Sequence, residues 1–541
     1  MKKTALKEKS TNPQIYLSKK SRLLENMKRV KLMNLSEIDQ KLFTEYSLGD
    51  EISPDFKNVL DAFEYWVSKT PHNIAAEYKT KNITYKELDN EATILALILK
   101  QKGIKNGDII GLYMPRSINL IISIIACMKL GVTYVPQDPR IVPIDMLQKI
   151  STKSEQNIIL SLSNYADKVS FYEKNKIILI DNEINKKIYR NLYGNIKLIN
   201  HQNKKTDSTC FILFTSGTTG TPNGVQVTHK NLCNILYSTP GNLGIAPGVK
   251  VAQILNISFD MAAWEILGCL GNGGTLLIRG KDILETVTKA NVIIATPTIL
   301  TTVPPEKCKE IKSVAVAGEP CPVMLAERWS KLCNFYNSCG PTETTIVNTM
   351  KKCIPGSSEL SIGKPTPNNT VYILNKDMTP TKIGEIGIMW GGGDCVSKGY
   401  LHNENLTRKK YKLDPFLNDG SYMFNTGDLG KWNKNGELIH FGRIDDQVKI
   451  KGFRVELDSI SKIIESFNDV KRAATIKHQD YLVAFVSTSN QTENLLELLK
   501  KQLQKELPYY YTPSNFIFLE ELPKTSRGKI DKRALKQTLI L

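Results

Sequence analysis

Phe211-Ile212-Leu213-Phe214-Thr215-Ser216-Gly217-Thr218-Thr219-Gly220-Thr221-Pro222-Asn223-Gly224 is the stretch on which the reading of this chain turns. An apolar run enters it, so the loop leaves the end of a strand. Its small residues let backbone N–H groups approach a polyanion closely, and the hydroxyls of Thr215, Ser216, Thr218 and Thr219 add donors. By composition this is a phosphate cradle. No Gly-Lys-Ser/Thr closes it, so it is not a Walker A loop. Taken alone, the same composition suits a flexible surface loop equally well.

On both sides of the loop, short apolar runs alternate with helix-length intervals. Asp108–Met114, Asn157–Ser163, Lys176–Ile180, Val251–Leu255, Gly274–Arg279, Asn291–Thr296 and Ser313–Gly318 read as strands. That rhythm indicates βαβ units and largely parallel sheet. Val59, Leu60, Phe63, Trp66 and Val67 form the apolar stripe of an amphipathic helix. Residues 1–50 read as a basic tail and a short docking segment carrying Leu35, Ile38, Leu42 and Phe43. Near residue 440 the texture changes. Gly442-Arg443-Ile444-Asp445-Asp446 reads as a turn, followed by strands at Val448–Phe453, Arg472–Lys477 and Tyr481–Ser487 and a helix with Leu495, Leu499 and Leu503 on one face. The expected division is therefore 1–50, a large α/β lobe over 51–443 with mixed and parallel sheets flanked by helices, and a small α+β lobe over 444–541.

The chain has 541 residues, 41% of them hydrophobic, which supports a large core and excludes a disordered chain. Lys+Arg is 72 and Asp+Glu is 54, so the formal charge is +18. An anionic partner, or compositional drift toward Lys, Asn and Ile, accounts for the excess. The most apolar run, Ile118–Met128, is too short to span a bilayer and reads as a buried helix. No apolar stretch follows the basic N-terminus, so it does not read as a secretory signal. Ten cysteines show no C-x-x-C pair and no Cys/His metal spacing, which fits reduced thiols in the cytoplasm. Neither a clustered basic stripe nor a recognised nucleic-acid motif is present, so neither nucleic acid nor membrane is an expected partner.

Further motifs stand in a fixed order around the loop. They are Ile83-Thr84-Tyr85-Lys86-Glu87-Leu88, Tyr134-Val135-Pro136-Gln137-Asp138-Pro139, Phe259-Asp260 and Asn337-Ser338-Cys339-Gly340-Pro341-Thr342-Glu343, then Thr426-Gly427-Asp428-Leu429, Gly442-Arg443-Ile444-Asp445, Leu507-Pro508-Tyr509-Tyr510-Tyr511 and Gly528-Lys529-Ile530-Asp531. From about residue 50 to 535 the chain resembles the adenylate-forming enzymes, specifically the amino-acid adenylation domains of nonribosomal peptide synthetases. The resemblance implies two half-reactions. A carboxylate attacks the α-phosphorus of ATP and expels pyrophosphate. A thiol, usually a carrier protein's phosphopantetheine, then attacks the activated carbonyl. Such chemistry is mainly positioning and charge neutralisation.

The resemblance also implies roles. Thr215, Ser216, Gly217, Thr218, Thr219 and Gly220 hold the triphosphate, and Gly318, Glu319, Asn337, Cys339 and Gly340 border the nucleotide. Thr342 contacts the α-phosphate, Glu343 with Thr218 holds Mg²⁺, and Asp428 accepts from the ribose hydroxyls. Arg443 binds the ribose edge or phosphate, Lys529 is the catalytic cation, and Asp445 is the hinge on which the small lobe swings. Asp260 pairs with a substrate ammonium, and the rest of the pocket is Met261, Trp264, Ala295, Ala315, Ala317, Ser338, Ile346 and Val347. That lining implies a large hydrophobic amino acid, aromatic first. An acyl-CoA ligase and a D-alanine–carrier ligase of the same fold are the competing readings; Asp260 opposes the first and pocket size the second.

Three positions depart from the family pattern. Asn223 replaces a lysine, Cys339 a stacking tyrosine, and Asn425 an arginine. Each loss weakens nucleotide binding by ~1–2 kcal/mol. Only eight residues follow Arg533, with no carrier serine and no condensation motif. The expectation is a stand-alone module that loads a phosphopantetheine carrier protein in trans.

Overall fold

The computed structural model describes residues 18–27, 35–181, 206–215, 222–357, 360–450, 452–488, 493–524 and 530–539. Alternating strand and helix segments assemble into two large layered sheets in the large lobe. In the first, the strands run in the order Lys364–Pro365, Thr349–Cys353, Asn334–Cys339, Ser313–Val316, Val292–Ala295, Lys250–Gln253, Thr275–Ile278, Ile74–Tyr78 and Lys81–Thr84. Its centre is parallel and its two ends are antiparallel. The second contains Ile177–Leu179, Ile158–Ser161, Ile109–Tyr113, Thr133–Gln137, Thr209–Thr215 and Asn223–Thr228. The seven strands expected in this lobe appear, each with ends within two residues of those expected.

The Ile118–Met128 run forms the helix Ile118–Leu130, buried along its length between the sheets. A side-chain cap from Ser117 starts it and Gly131 in the left-handed region ends it. The helix Val59–Lys69 buries Val59, Leu60 and Phe63 on the same core. A third sheet, antiparallel, carries Asn369–Leu374, Gly387–Gly393, Tyr422–Trp432 and Tyr411–Leu413, with Leu438–Arg443 beside Tyr422–Trp432. The docking segment lies on this sheet. Leu35 and Phe43 pack against Tyr372, Trp390 and Phe416, but Ile38 is 73% exposed, so it does not dock as expected. The helix Glu37–Tyr46 turns Ile38 to the face opposite the packed stripe.

The small lobe holds the sheet Val470–His478, Tyr481–Thr488 and Asn515–Leu519 with the helices Leu457–Glu465, Glu493–Glu506 and Lys532–Gln537. Leu495, Leu499 and Leu503 are buried, as their spacing required. One element differs. The run expected as one strand over Val448–Phe453 is divided between two antiparallel strands: Val448–Ile450 belong to Gln447–Ile450, and Phe453 opens Phe453–Glu456. Gly452 sits there at φ +84°, a conformation that breaks a continuous strand. Among the described residues no helix is long and apolar enough to cross a membrane.

Candidate active site

The C-terminal ends of the central parallel strands carry the candidate substrate residues. Asp260 opens the helix Asp260–Gly271 and is buried. Burial pushes its carboxyl up to about 6, against the lowering effect of the Thr342 side chain hydrogen-bonded to it and of the Lys449 charge. Met261 follows, with its sulfur near Gly318, and Trp264 is fully buried with its indole N–H donated to the Gly241 carbonyl at 2.7 Å. Ile346 and Val347 are buried in the same core.

Strand register sets Ala295 on a different face from two of the residues expected beside it. Ile294 pairs with Ala315, whereas Ala295 pairs with Val316. Paired residues of parallel strands share a face, and successive residues alternate. Ile294, not Ala295, therefore stands with Ala315 and Ala317. Tyr336 pairs with Ala315, which brings Ser338 onto that face as well. Ser338 Oγ is buried and has no partner among the described residues.

The nucleotide candidates converge from the neighbouring strands. Gly340 permits a close backbone crossing, since a Cβ there would lie 2.6 Å from the Val347 Cα. Asn337 donates its side-chain amide to the Ser361 carbonyl at 2.8 Å, and Glu319 accepts from the Thr298 N–H at 2.9 Å. Burial, helped by the Asp428 charge, pushes the Cys339 thiol up to about 11, so it is neutral at pH 7. Asp428 Oδ1 accepts from Arg443 Nη1 at 2.8 Å and lies 3.3 Å from His440 Nε2. Burial alone would raise its carboxyl; the His440 hydrogen bond and the Arg443 charge outweigh burial and hold it below the usual range. Arg443 also donates to both oxygens of Asp445, at 2.7 and 2.9 Å.

Glu343 is fully buried, and its partners come from far along the chain. Tyr400 donates its hydroxyl to Oε1 at 2.6 Å, and Arg454 Nη1 donates to Oε1 at 3.1 Å and Oε2 at 2.9 Å. Burial pushes this carboxyl up, but the Arg454 charge and the Tyr400 bond bring it below the ordinary glutamate value. The small lobe thus reaches into the site with its hairpin. Phe453 meets Phe259 edge-on at 5.0 Å and stacks on Tyr510 at 4.0 Å, and Gly452 lies against Thr296. Beside the hairpin a cleft of about 570 Å³ is lined by Phe214, Thr215, Phe259, Leu507 and Tyr510. Ser216, Gly217, Thr218, Thr219, Gly220 and Lys529 lie outside the described residues.

Among the described residues no three His, Cys, Asp or Glu side chains group as a metal cage. A lone buried carboxylate suits Mg²⁺ that arrives with phosphate oxygens of its own. Glu343 fits that role when Arg454 is not on it. Tyr400, His440 and Arg454 as a partner of Glu343 were not legible in the motifs, because each acts through a contact between separate strands.

Two packed lobes thus meet around the buried carboxylates of Glu343 and Asp428 in an α/β architecture. The chain belongs to the AMP-binding enzyme family, whose two parts match residues 63–401 and, for the C-terminal domain, 460–529. It is 42% identical to adenylate-forming reductase 06235 of Coprinopsis cinerea over 514 residues, covering 94% of this chain and 49% of that protein. It is 33% identical to gramicidin S synthase 1 of Brevibacillus brevis over 519 residues, covering 93% and 46%. The chain spans about half the length of these curated relatives. Its fold is that of the Vibrio cholerae adenylation domain AlmE, solved with glycyl-adenosine-5'-phosphate, at TM-score 0.77, 22% identity and coverage of 91% and 99%. The artificially fused adenylation–PCP di-domain NpsA-ThdA of Klebsiella oxytoca matches at TM-score 0.73 and 23% identity, covering 85% and 93%.

Proposed function

We propose that the chain activates an amino acid as its aminoacyl adenylate, with release of pyrophosphate, and passes the acyl group to the phosphopantetheine thiol of a separate carrier protein. The observation that carries this reading is Asp260, a buried carboxylate hydrogen-bonded to the Thr342 side chain and, among the described residues, joined to no cation by an ion pair. A substrate ammonium completes that site, whereas an acid without an amine leaves Asp260 buried and unpaired. Thr342 then meets the α-phosphate, Asp428 the ribose, and Thr215–Gly220 the triphosphate. Glu343 holds Mg²⁺, which when bound neutralises phosphate charge. Lys529 supplies a cation where charge builds on the phosphate and carboxylate. Residues 51–443 and 444–541 move as two bodies about Asp445, whose pair with Arg443 re-forms as they rotate.

The substrate side chain is large and mostly apolar, aromatic first. Two observations support a narrower form of this reading. Ile294 takes volume that an alanine would have left, and the Ser338 hydroxyl asks for a hydrogen-bonding atom on the side chain. A tyrosine-like side chain meets both. All ten cysteines are free, which suits a reducing cytoplasm.

A second reading follows from the 42% likeness to an adenylate-forming reductase. In it, the acyl group goes on to reductive release. Pyrophosphate exchange across amino acids and aryl and fatty acids tests the activation step common to both. Exchange with amino acids, abolished in Lys529→Ala, is expected; exchange only with acids lacking an amine would overturn the amino-acid reading.

A further inference from the structure

Asp428 has a partner that none of the motifs contains. His440 lies on the strand Leu438–Arg443, paired through Gly430 with the strand that carries Asp428. The Gly442 backbone N–H donates to His440 Nδ1 at 3.2 Å, so Nδ1 is the acceptor nitrogen. In the neutral ring the proton is then on Nε2, which faces Asp428 Oδ1 at 3.3 Å. Arg443 Nη1 donates to the same oxygen. Both lone pairs of Oδ1 are thereby used, and Oδ2 is left as the acceptor presented to a ligand.

The two donors differ in one respect. Arg443 is tied to Asp445 at the junction of the lobes. Both donors stand on the same large-lobe strand, Arg443 opposite Asp428 and His440 opposite Gly430, but the Arg443 guanidinium is shared with Asp445, whereas the His440 ring is held by the Gly442 backbone. We propose that His440 is a positioning residue that holds Asp428 in the rotamer presenting Oδ2 to the ribose hydroxyls, independently of where the small lobe stands. This rests on the proposed adenylate-forming function, in which Asp428 binds the ribose. Without the imidazole the carboxylate is free to turn whenever the Arg443 guanidinium follows Asp445, and the recognition of the two hydroxyls loses its fixed acceptor.

Calorimetry of AMP, 2'-deoxyAMP and 3'-deoxyAMP binding to the full chain tests this without turnover. The variants are His440→Phe, His440→Gln and Asp428→Asn. The wild type is expected to favour AMP over both deoxy analogues. His440→Phe weakens AMP about tenfold and the analogues less than about twofold, so the preference collapses. His440→Gln, which still offers an N–H donor, retains most of the preference. A structural role alone would weaken all three nucleotides together and would not be rescued by Gln. If the wild type discriminates, Asp428→Asn does not, and His440→Phe discriminates as the wild type does, the positioning role is overturned while the ribose role of Asp428 stands. If the wild type shows no preference, the ribose reading fails and the inference fails with it.

Discussion

Replacing Arg454 by alanine should shift the two lobes toward an open arrangement without unfolding either. Arg454 belongs to the hairpin of the small lobe and ends on the fully buried Glu343 of the large one, through two hydrogen bonds of 3.1 and 2.9 Å. Removing one partner of a buried pair costs ~3–5 kcal/mol, because the remaining charge stays desolvated. The lobes also share a buried apolar cluster, in which Met146, Leu147 and Ile150 of the large lobe join Leu503, Leu507 and Tyr511 of the small one, and this cluster is unchanged by the substitution. Lys149–Glu506 at 3.3 Å and Lys505–Asp145 at 3.6 Å are exposed pairs worth ~0–1 kcal/mol each, and Phe259 on Phe453 adds ~1 kcal/mol. Once the hairpin withdraws, water reaches Glu343, so the loss falls on lobe closure. Taking ~3 kcal/mol as the part expressed there, the closed population falls about 150-fold relative to the open one. Small-angle scattering reads this as a larger radius of gyration, and a donor–acceptor dye pair on the two lobes reads it as lost transfer. Unchanged scattering and unchanged transfer in Arg454→Ala would refute the reasoning. The pH dependence has a definite sign. The Glu343 carboxyl is held below its ordinary value in the closed form, so its contribution is present above that value and is lost as pH falls through the lowered one. Acid should open the wild type, and Arg454→Ala should lack that transition.

The Asp260 carboxyl is pushed up to about 6 in the empty site, so it must lose its proton to pair with an ammonium. KM for the amino acid should rise as pH falls through about 6, and Asp260→Asn should flatten that profile while lowering kcat/KM ~100-fold or more. The Ser338 hydroxyl, without a partner among the described residues, should contribute to discrimination between tyrosine and phenylalanine. Pyrophosphate exchange by Ser338→Ala should show that preference reduced about tenfold, with KM for ATP unchanged.

Much of this molecule was legible from the chain alone. The alternation of apolar runs with helix-length intervals, the small-residue loop and the buried-helix character of Ile118–Leu130 are short-range properties. Propensity and local sterics act over a few residues, so they are written in consecutive positions. The order of motifs identified the family on the same basis. Tertiary structure decided the rest. Whether Ile294 or Ala295 shares a face with Ala315 depends on register with a strand some twenty residues on, since a one-residue shift reverses every side chain. That Arg454 occupies Glu343, across 111 positions of sequence, depends on how two lobes dock. That His440 rather than Arg443 alone serves Asp428 depends on two adjacent strands and one backbone N–H. Charge, size and periodicity belong to a residue and its neighbours along the chain, whereas a hydrogen bond belongs to whatever the folded backbone brings within 3 Å or so of a donor.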